Sequence, residues 1–241
     1  MEVRDAGTTG GRPGRAEASL GKVRSRLLAL STGLLSDALG KTGAMDHGIQ
    51  CRSARSSMAG PAFTARVHAA DILMVGKALA ECPGGHVVVV DGRGHCNTAL
   101  WGGITTVAAR KKGLAGIVID GAIRDSAEIA IDLLPVFSRA VVPNAGGAEY
   151  AGELNVAVQC GGLPVSPGDW VVGDADGVVV VPSSALEIAM AGAERLQEVE
   201  ERITEAVMRG EDLGQLLRYD AVLQRKLEKG LLPQLRFGAK G

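Results

Sequence analysis

Residues 87–125 read VVVVDGRGHCNTALWGGITTVAARKKGLAGIVIDGAIRD, and the punctuation of this stretch decides the fold. Val87 to Val90 is a short, wholly apolar run that stops at Asp91-Gly92, which reads as a strand and its exit. Thr105 to Lys112 reads as a helix with Val107, Ala108 and Ala109 facing inward. Arg110, Lys111 and Lys112 lie at its C-terminal end, where cations oppose the helix dipole, and Gly113 suits the cap. Ile117-Val118-Ile119 is the next strand, ending at Asp120-Gly121. Strand, loop, helix, strand is the order of a βαβ unit with parallel strands. The predicted class is therefore α/β.

Working outward, Val23, Leu27, Leu28, Leu30, Leu34, Leu35 and Leu39 recur at helical spacings from Leu20 onward. Ser31-Thr32-Gly33 interrupts them as a loop, with Ser36 or Asp37 near the start of the next turn. Gly60-Pro61 is a turn, Ala62 to Ala69 alternates as a strand, and Asp71 to Glu81 is an amphipathic helix stopped by Pro83-Gly84-Gly85. Ser126 to Leu133 reads as a short helix, and residues 135–137 and 156–158 as strands. Residues 170–172 and 178–181 form a hairpin about Asp174-Ala175-Asp176-Gly177. From Ser183 the pattern is helical, with a long charged helix over Glu194 to Arg209. The expected organisation is a flexible tail over 1–19, one α/β domain over 20–220 that includes a C-terminal helical extension, and a tail over 221–241.

Composition narrows the function classes. The 241 residues carry 26 Lys and Arg against 27 Asp and Glu, a formal net charge of −1, so no basic surface for nucleic acid is expected. Aromatic residues are only 3% and glycines number 34, so the core must come from Val, Ala, Leu and Ile around many tight turns. Cys51, Cys82, Cys96 and Cys160 show no C-x-x-C spacing and read as structural thiols. No apolar stretch is long enough for a membrane span, and residues 1–15 lack the apolar region of a secretory signal, so a soluble cytoplasmic protein is expected.

Ligands of open α/β sheets collect at the carboxyl ends of strands. There the chain places Asp120-Gly121-Ala122-Ile123-Arg124-Asp125. A carboxylate in this position can hold a hard divalent cation, and an adjacent Arg can clamp a carboxylate or stabilise an enolate oxygen. The competing reading is structural, with Asp120 capping a turn and Arg124 and Asp125 in surface ion pairs. The second candidate is Trp101-Gly102-Gly103-Ile104-Thr105, where paired glycines before a helix let free N–H groups meet an anion. Its competing reading is a tight turn under a packed Trp101. The loop has neither the Gly-Lys-Ser/Thr of a Walker loop nor a G-x-G-x-x-G fingerprint. His47, His68, His86 and His95 are scattered, and Asp174 and Asp176 lack the spacing of a calcium loop.

Taken together, these motifs resemble the 4-hydroxy-4-methyl-2-oxoglutarate aldolase family, which also contains the regulator of ribonuclease activity A. The resemblance covers residues 25–215. It rests on Trp101-Gly102-Gly103, on Gly113-x-x-Gly116-x-Val118-x-Asp120-Gly121-x-x-Arg124-Asp125, on Ser36-Asp37-Ala38-Leu39, on Gly60-Pro61-Ala62-x-Thr64, and on Gly168-Asp169 with Gly173-Asp174-x-Asp176-Gly177. It implies a layered RraA-like fold with a mixed sheet, assembled as a homotrimer or homohexamer. It implies a divalent metal, Mg2+ or Mn2+, held by Asp125 and water. Arg124 would contact the substrate and stabilise a pyruvate enolate, and Asp120 would orient Arg124 or a metal-bound water. Gly102, Gly103 and the amides of Ile104 and Thr105 would hold the substrate carboxylate. An acid from a neighbouring subunit's C-terminal helix would match Glu200 or Glu201. The implied activity is cleavage of a C–C bond of a small 2-oxo acid, by retro-aldol reaction or decarboxylation. The alternative within the family is a non-catalytic, ribonuclease-binding regulator. The chain departs from the family pattern at Gly103, where aldolases often carry an acid, and at Asp71-Ile72, where Asp-Asn is usual.

Overall fold

The computed structural model describes residues 15–228 of the chain. Its strands are β1 (Gln50–Cys51), β2 (Met58–Arg66), β3 (Val87–Trp101), β4 (Gly116–Ile123), β5 (Val136–Val141), β6 (Glu153–Leu154), β7 (Val158–Cys160), β8 (Leu163–Val165), β9 (Trp170–Gly173) and β10 (Val178–Val181). Its helices are α1 (Arg15–Leu28), α2 (Thr32–Ala38), α3 (Leu73–Glu81), α4 (Gly103–Lys111), α5 (Ser126–Ala130), α6 (Leu186–Met208), α7 (Leu213–Leu216) and α8 (Tyr219–Glu228). The main sheet runs β1-β5-β4-β3-β2-β9-β10, with β6 added to β2. The β2–β3, β3–β4 and β4–β5 pairs are parallel, whereas β1, β6, β9 and β10 pair antiparallel, so the sheet is mixed as expected.

The apolar runs that looked like strands are apolar because both faces of the sheet are covered. Val88, Val90, Ile117 and Ile119 point into one core with Val75 and Ala78 of α3 and Ala109 of α4. Val87, Val89 and Val118 point into the other, with Phe137, Val171, Val178 and Val180. Alternation at period two therefore continues, but each partner is apolar. Strand β2 changes neighbours along its length: residues 62–66 pair with β3 and residues 58–61 with β9.

Several boundaries differ from the sequence reading. β3 and β4 do not stop at Asp91 and Asp120. They continue to Trp101 and Ile123 through irregular register shifts. The apolar signal ends at Val90 and Ile119, but backbone pairing does not depend on side-chain polarity. Helix α4 begins at Gly103, and its inward residues are Thr106 and Ala109, while Val107 is exposed. The indole Nε1 of Trp101 donates to Thr106 Oγ1 at 2.8 Å and turns that residue inward. Helix α2 starts at Thr32, capped by Ser31, whose Oγ accepts from Leu34 N at 3.2 Å. Asp174 of the β9–β10 turn accepts from Thr32 N at 2.8 Å and from Asp176 N at 2.9 Å, which accounts for its position without a cation. Helix α5 is shorter than expected, and β7 lies two residues later.

The chain divides into two compact units within α6, one ending at Glu194 and one beginning at Arg195. In the first unit, Arg26 of α1 pairs with Glu194 at 2.9 Å and Glu187 at 3.3 Å. The expected N-terminal tail is helical from Arg15, and α8 enters the expected C-terminal tail. The remainder of both tails, 1–14 and 229–241, lies outside the described residues. Among the described residues no helix is long and apolar enough to cross a membrane. Phe137 is the largest fully buried side chain of the core, packed against Gly173 and Met58. Phe137→Ala is expected to lower unfolding free energy by about 3–5 kcal/mol in urea denaturation. A loss below 1 kcal/mol would show that this core collapses around the cavity.

Candidate functional site

Because β3 and β4 stay paired to Trp101 and Ile123, the two chain segments that leave them run side by side. Arg124 N donates to Trp101 O at 2.9 Å, and Gly103 N donates to Asp125 Oδ2 at 2.9 Å. The Gly-Gly segment and the Arg-Asp pair therefore form one place. A Cβ on Gly102 would stand 2.6 Å from Asp125 Oδ2 and 3.2 Å from Arg124 Cγ, so the glycine is required by close approach. Arg124 Nε lies 3.6 Å from Asp125 Oδ2. Asp125 has φ of +57°, a left-handed conformation uncommon outside glycine, and its carbonyl accepts from Glu128 N and Ile129 N of α5, each at 3.1 Å.

The first turn of α4 presents its amides to this cleft. Gly103 N is held by Asp125, while none of the described residues accepts from Ile104 N or Thr105 N. Thr105 Oγ1 accepts from Gly102 N at 3.0 Å and so braces the turn. Two free N–H groups at a helix start, beside an Arg, are able to meet an anion. Gly102, Ile104, Thr105, Arg124 and Asp125 line a single open cleft of about 120 Å³.

The structure separates Asp120 from this group. Its Oδ1 accepts from Arg139 Nε and its Oδ2 accepts from Gly161 N at 2.7 Å. Arg139 continues to Asp46 at 2.8 Å. The Asp120 hydrogen bond raises the guanidinium pKa further, and the Gly48 amide together with Arg139 holds the Asp46 carboxyl below its ordinary value. Asp120 thus closes a buried ion pair instead of contacting Arg124. Glu200 and Glu201 lie on α6 in the second unit, exposed, with Glu201 accepting from Gln197 at 3.1 Å.

The residues fit one kind of metal. Among the described residues no three His, Cys, Asp or Glu side chains converge as a cage. The donors available to a metal would be Asp125 and Glu128, whose carboxylate fills the space that a side chain on Gly103 would take. One or two carboxylates suit a hard, largely hydrated ion such as Mg2+ and not the closed nitrogen and sulfur set of zinc.

Of the opposite wall of the cleft, the sequence marked only Asp71-Ile72, as a departure from the family pattern. Asp71 is buried and accepts from Leu73 N at 2.9 Å, Glu149 N at 2.6 Å and Tyr150 N at 3.0 Å. It ties the start of α3 to the loop over 144–150. That loop is pinned to β3, with Ala99 N donating to Asn144 O at 2.8 Å and Gly146 N to Ala99 O at 3.2 Å. A Cβ on Gly146 would stand 2.7 Å from Ala70 O and 2.9 Å from Ile72 Cγ2, so the loop needs glycine there to close on Ile72. Ile72, Val75, Ala99, Ala145 and Gly146 complete the cleft. The Ala145-Gly146-Gly147 string was the available signal. Elsewhere, burial pushes the Cys82 thiol up to about 12 and raises Cys160 as well, consistent with inert thiols, whereas Cys51 and Cys96 are only half-buried. His95 Nε2 sits 3.2 Å from Thr98 Oγ1.

The RraA-like family, described as aldolase/RraA, matches residues 32–180. A protein of Halalkalibacterium halodurans, whose name proposes a 4-hydroxy-4-methyl-2-oxoglutarate aldolase, is 36% identical over 178 residues, 74% of this chain and 85% of that protein. An uncharacterized protein of Methanocaldococcus jannaschii is 42% identical over 134 residues, 56% of this chain and 64% of that one. Among solved structures, the RNA-processing inhibitor RraA from Thermus thermophilis superposes with a TM-score of 0.60 at 34% identity, covering 63% of this chain and 92% of that one.

Two outcomes test the site's construction. Asp120→Asn is expected to cost about 3 kcal/mol in chemical denaturation, because it leaves a mostly buried Arg139 with only the more exposed Asp46 as a charged partner, whereas Asp125→Asn costs under about 1 kcal/mol. Equal losses would mean that Asp120 is no more structural than Asp125. Burial alone would raise the Asp71 carboxyl, but its three amide donors outweigh burial and hold it below 3.8. Its stabilising effect is then complete above about pH 4 and lost as pH falls through the folded value. Stability of the wild type should fall more steeply below pH 4 than that of Asp71→Asn, and parallel acid profiles would contradict this linkage.

Proposed function

We propose that this chain, which belongs to the RraA-like aldolase/RraA family, is a divalent-metal-dependent lyase that cleaves a C–C bond of a 2-oxo acid. The observation that carries the reading is the convergence of two free helix-start amides, a guanidinium and a carboxylate at one cleft. The amides of Ile104 and Thr105 bind the substrate carboxylate, and Arg124 stabilises negative charge at the 2-oxo oxygen. Asp125 holds a Mg2+ or Mn2+ ion, which supplies Lewis-acid stabilisation of the same charge when bound. In the retro-aldol case the C3–C4 bond breaks while the C4 hydroxyl loses its proton and becomes a carbonyl. The electron pair passes to the pyruvate enolate, which then takes a proton at C3. Decarboxylation of a 3-carboxylated 2-oxo acid passes through the same enolate. The names of the relatives support lyase chemistry at family level.

A homotrimer or homohexamer, with Glu200 or Glu201 reaching a neighbouring subunit's site, belongs to the same reading. The exposed Ile104 at the start of α4 and Ile131 just after α5 support a covered surface there. The second reading is a non-catalytic regulator of a ribonuclease, favoured by the likeness to the Thermus inhibitor. Release of pyruvate that requires added metal separates the two.

Arg124→Lys is expected to lower kcat about a hundredfold, because an ammonium cannot bridge a carboxylate and an enolate oxygen as a planar guanidinium does. Asp125→Ala is expected to abolish metal-dependent pyruvate release and retain the fold, as read in an assay titrated with magnesium. Wild-type constants in both variants would remove the pair from catalysis.

A further inference from the structure

The cleft has two chemically different halves. At one end lie the α4 amides, Arg124 and Asp125. At the other lie Ile72, Val75, Ala99, Ala145 and Gly146, which carry no side-chain polar atom. Arg124 is the sole cation among the lining residues. In the proposed function, both Arg124 and the amides are taken up by the 2-oxo carboxylate end. A second carboxylate on the same substrate would then meet aliphatic side chains, no donor and the negative Asp125. Moving a carboxylate from water to such a wall without a partner is unfavourable, while moving a methyl group there is favourable. The wall is also firmly built. Asp71 clamps α3 to the 147–150 loop, and Ile72 N donates to Gly147 O at 2.8 Å. Val75 is 1% exposed and backs the wall, whose surface comes from Ile72, Ala145 and Gly146.

We infer that the distal half of the cleft is an apolar tail pocket, so that the substrate is a 2-oxo monocarboxylic acid with a short alkyl tail and not a dicarboxylic acid. Resting on the lyase reading, this names the substrate class as 4-hydroxy-2-oxo acids alkylated at C4, cleaved to pyruvate and an aliphatic carbonyl compound. Ile72 is the residue that sets the preference.

The test compares 2-oxopentanoate with 2-oxoglutarate, two five-carbon chains that differ only in ending as methyl or carboxylate. Binding is measured by calorimetry with magnesium present. 2-Oxopentanoate is expected to bind about tenfold tighter. Ile72→Lys is expected to erase or reverse that ratio, and Ala145→Lys, on the exposed 144–150 loop, repeats the test should the first variant fold poorly. Tighter or equal binding of 2-oxoglutarate, a ratio unmoved by either lysine, or binding of neither ligand overturns the inference. Pyruvate release from 4-hydroxy-2-oxopentanoate is followed separately. Binding preference without turnover leaves the tail pocket standing and removes the lyase. Turnover with a preference for 2-oxoglutarate does the opposite.

Discussion

The continued parallel pairing of β3 and β4 is the constraint on which the site depends. Had the strands parted at Asp91 and Asp120, where their apolar runs end, two separate loops would have followed. Instead the ladder persists to Trp101 and Ile123, and a single backbone hydrogen bond, Arg124 N to Trp101 O, sets the two exits in register. From there the short distance between Gly103 N and Asp125 Oδ2 follows without long-range coincidence. A helix start and a carboxylate are brought together by sheet geometry alone, which is why ligand sites recur at such strand ends.

Buried aspartates then do for the loops what the ladder does for the strands. Asp71, Asp91, Asp120 and Asp169 are all mostly buried, and each accepts backbone amides from a remote or neighbouring turn. Asp169 holds Ser166 N at 2.8 Å and Ser183 N at 3.0 Å, joining the entry of β9 to the segment leading into α6. Asp91 receives Arg93 N at 3.1 Å and Gln159 N at 3.3 Å. A carboxylate with several amide donors tolerates burial that an unpaired one does not. In a protein with so few aromatic rings, these clamps position loops that side-chain packing alone would hold less firmly.

The placement of charge within the cleft has a consequence for the chemistry. Asp120 and Arg139 satisfy each other away from the cleft, so neither competes for substrate. That leaves Arg124, 43% exposed along its side chain, as the cation that lines the cleft. Glu128 reaches over Gly103 because glycine leaves room, which puts a second carboxylate near Asp125 although position 103 itself carries none. The space that a side chain at position 103 would take is thus occupied by Glu128 of α5.

By itself the sequence determined the βαβ unit, the hairpin at 170–181, the glycine pair before a helix and the Arg124-Asp125 pair, because each is written in local spacing of apolar, turn and charged residues. The same local signals misplaced the ends of β3 and β4 and the inward face of α4. Backbone pairing outlasts the apolar run, and Trp101 turns Thr106 inward from five residues away. Tertiary structure alone decided that Asp120 belongs to Arg139, that Asp71 is a clamp, and that Ile72 packs against the Gly146 loop in one wall of the cleft. Those partners lie 19, 78 and 74 residues apart, or nearly so, along the chain. No periodicity of a helix or strand connects residues at such separations, and only the folded sheet brings them within hydrogen-bonding or van der Waals reach.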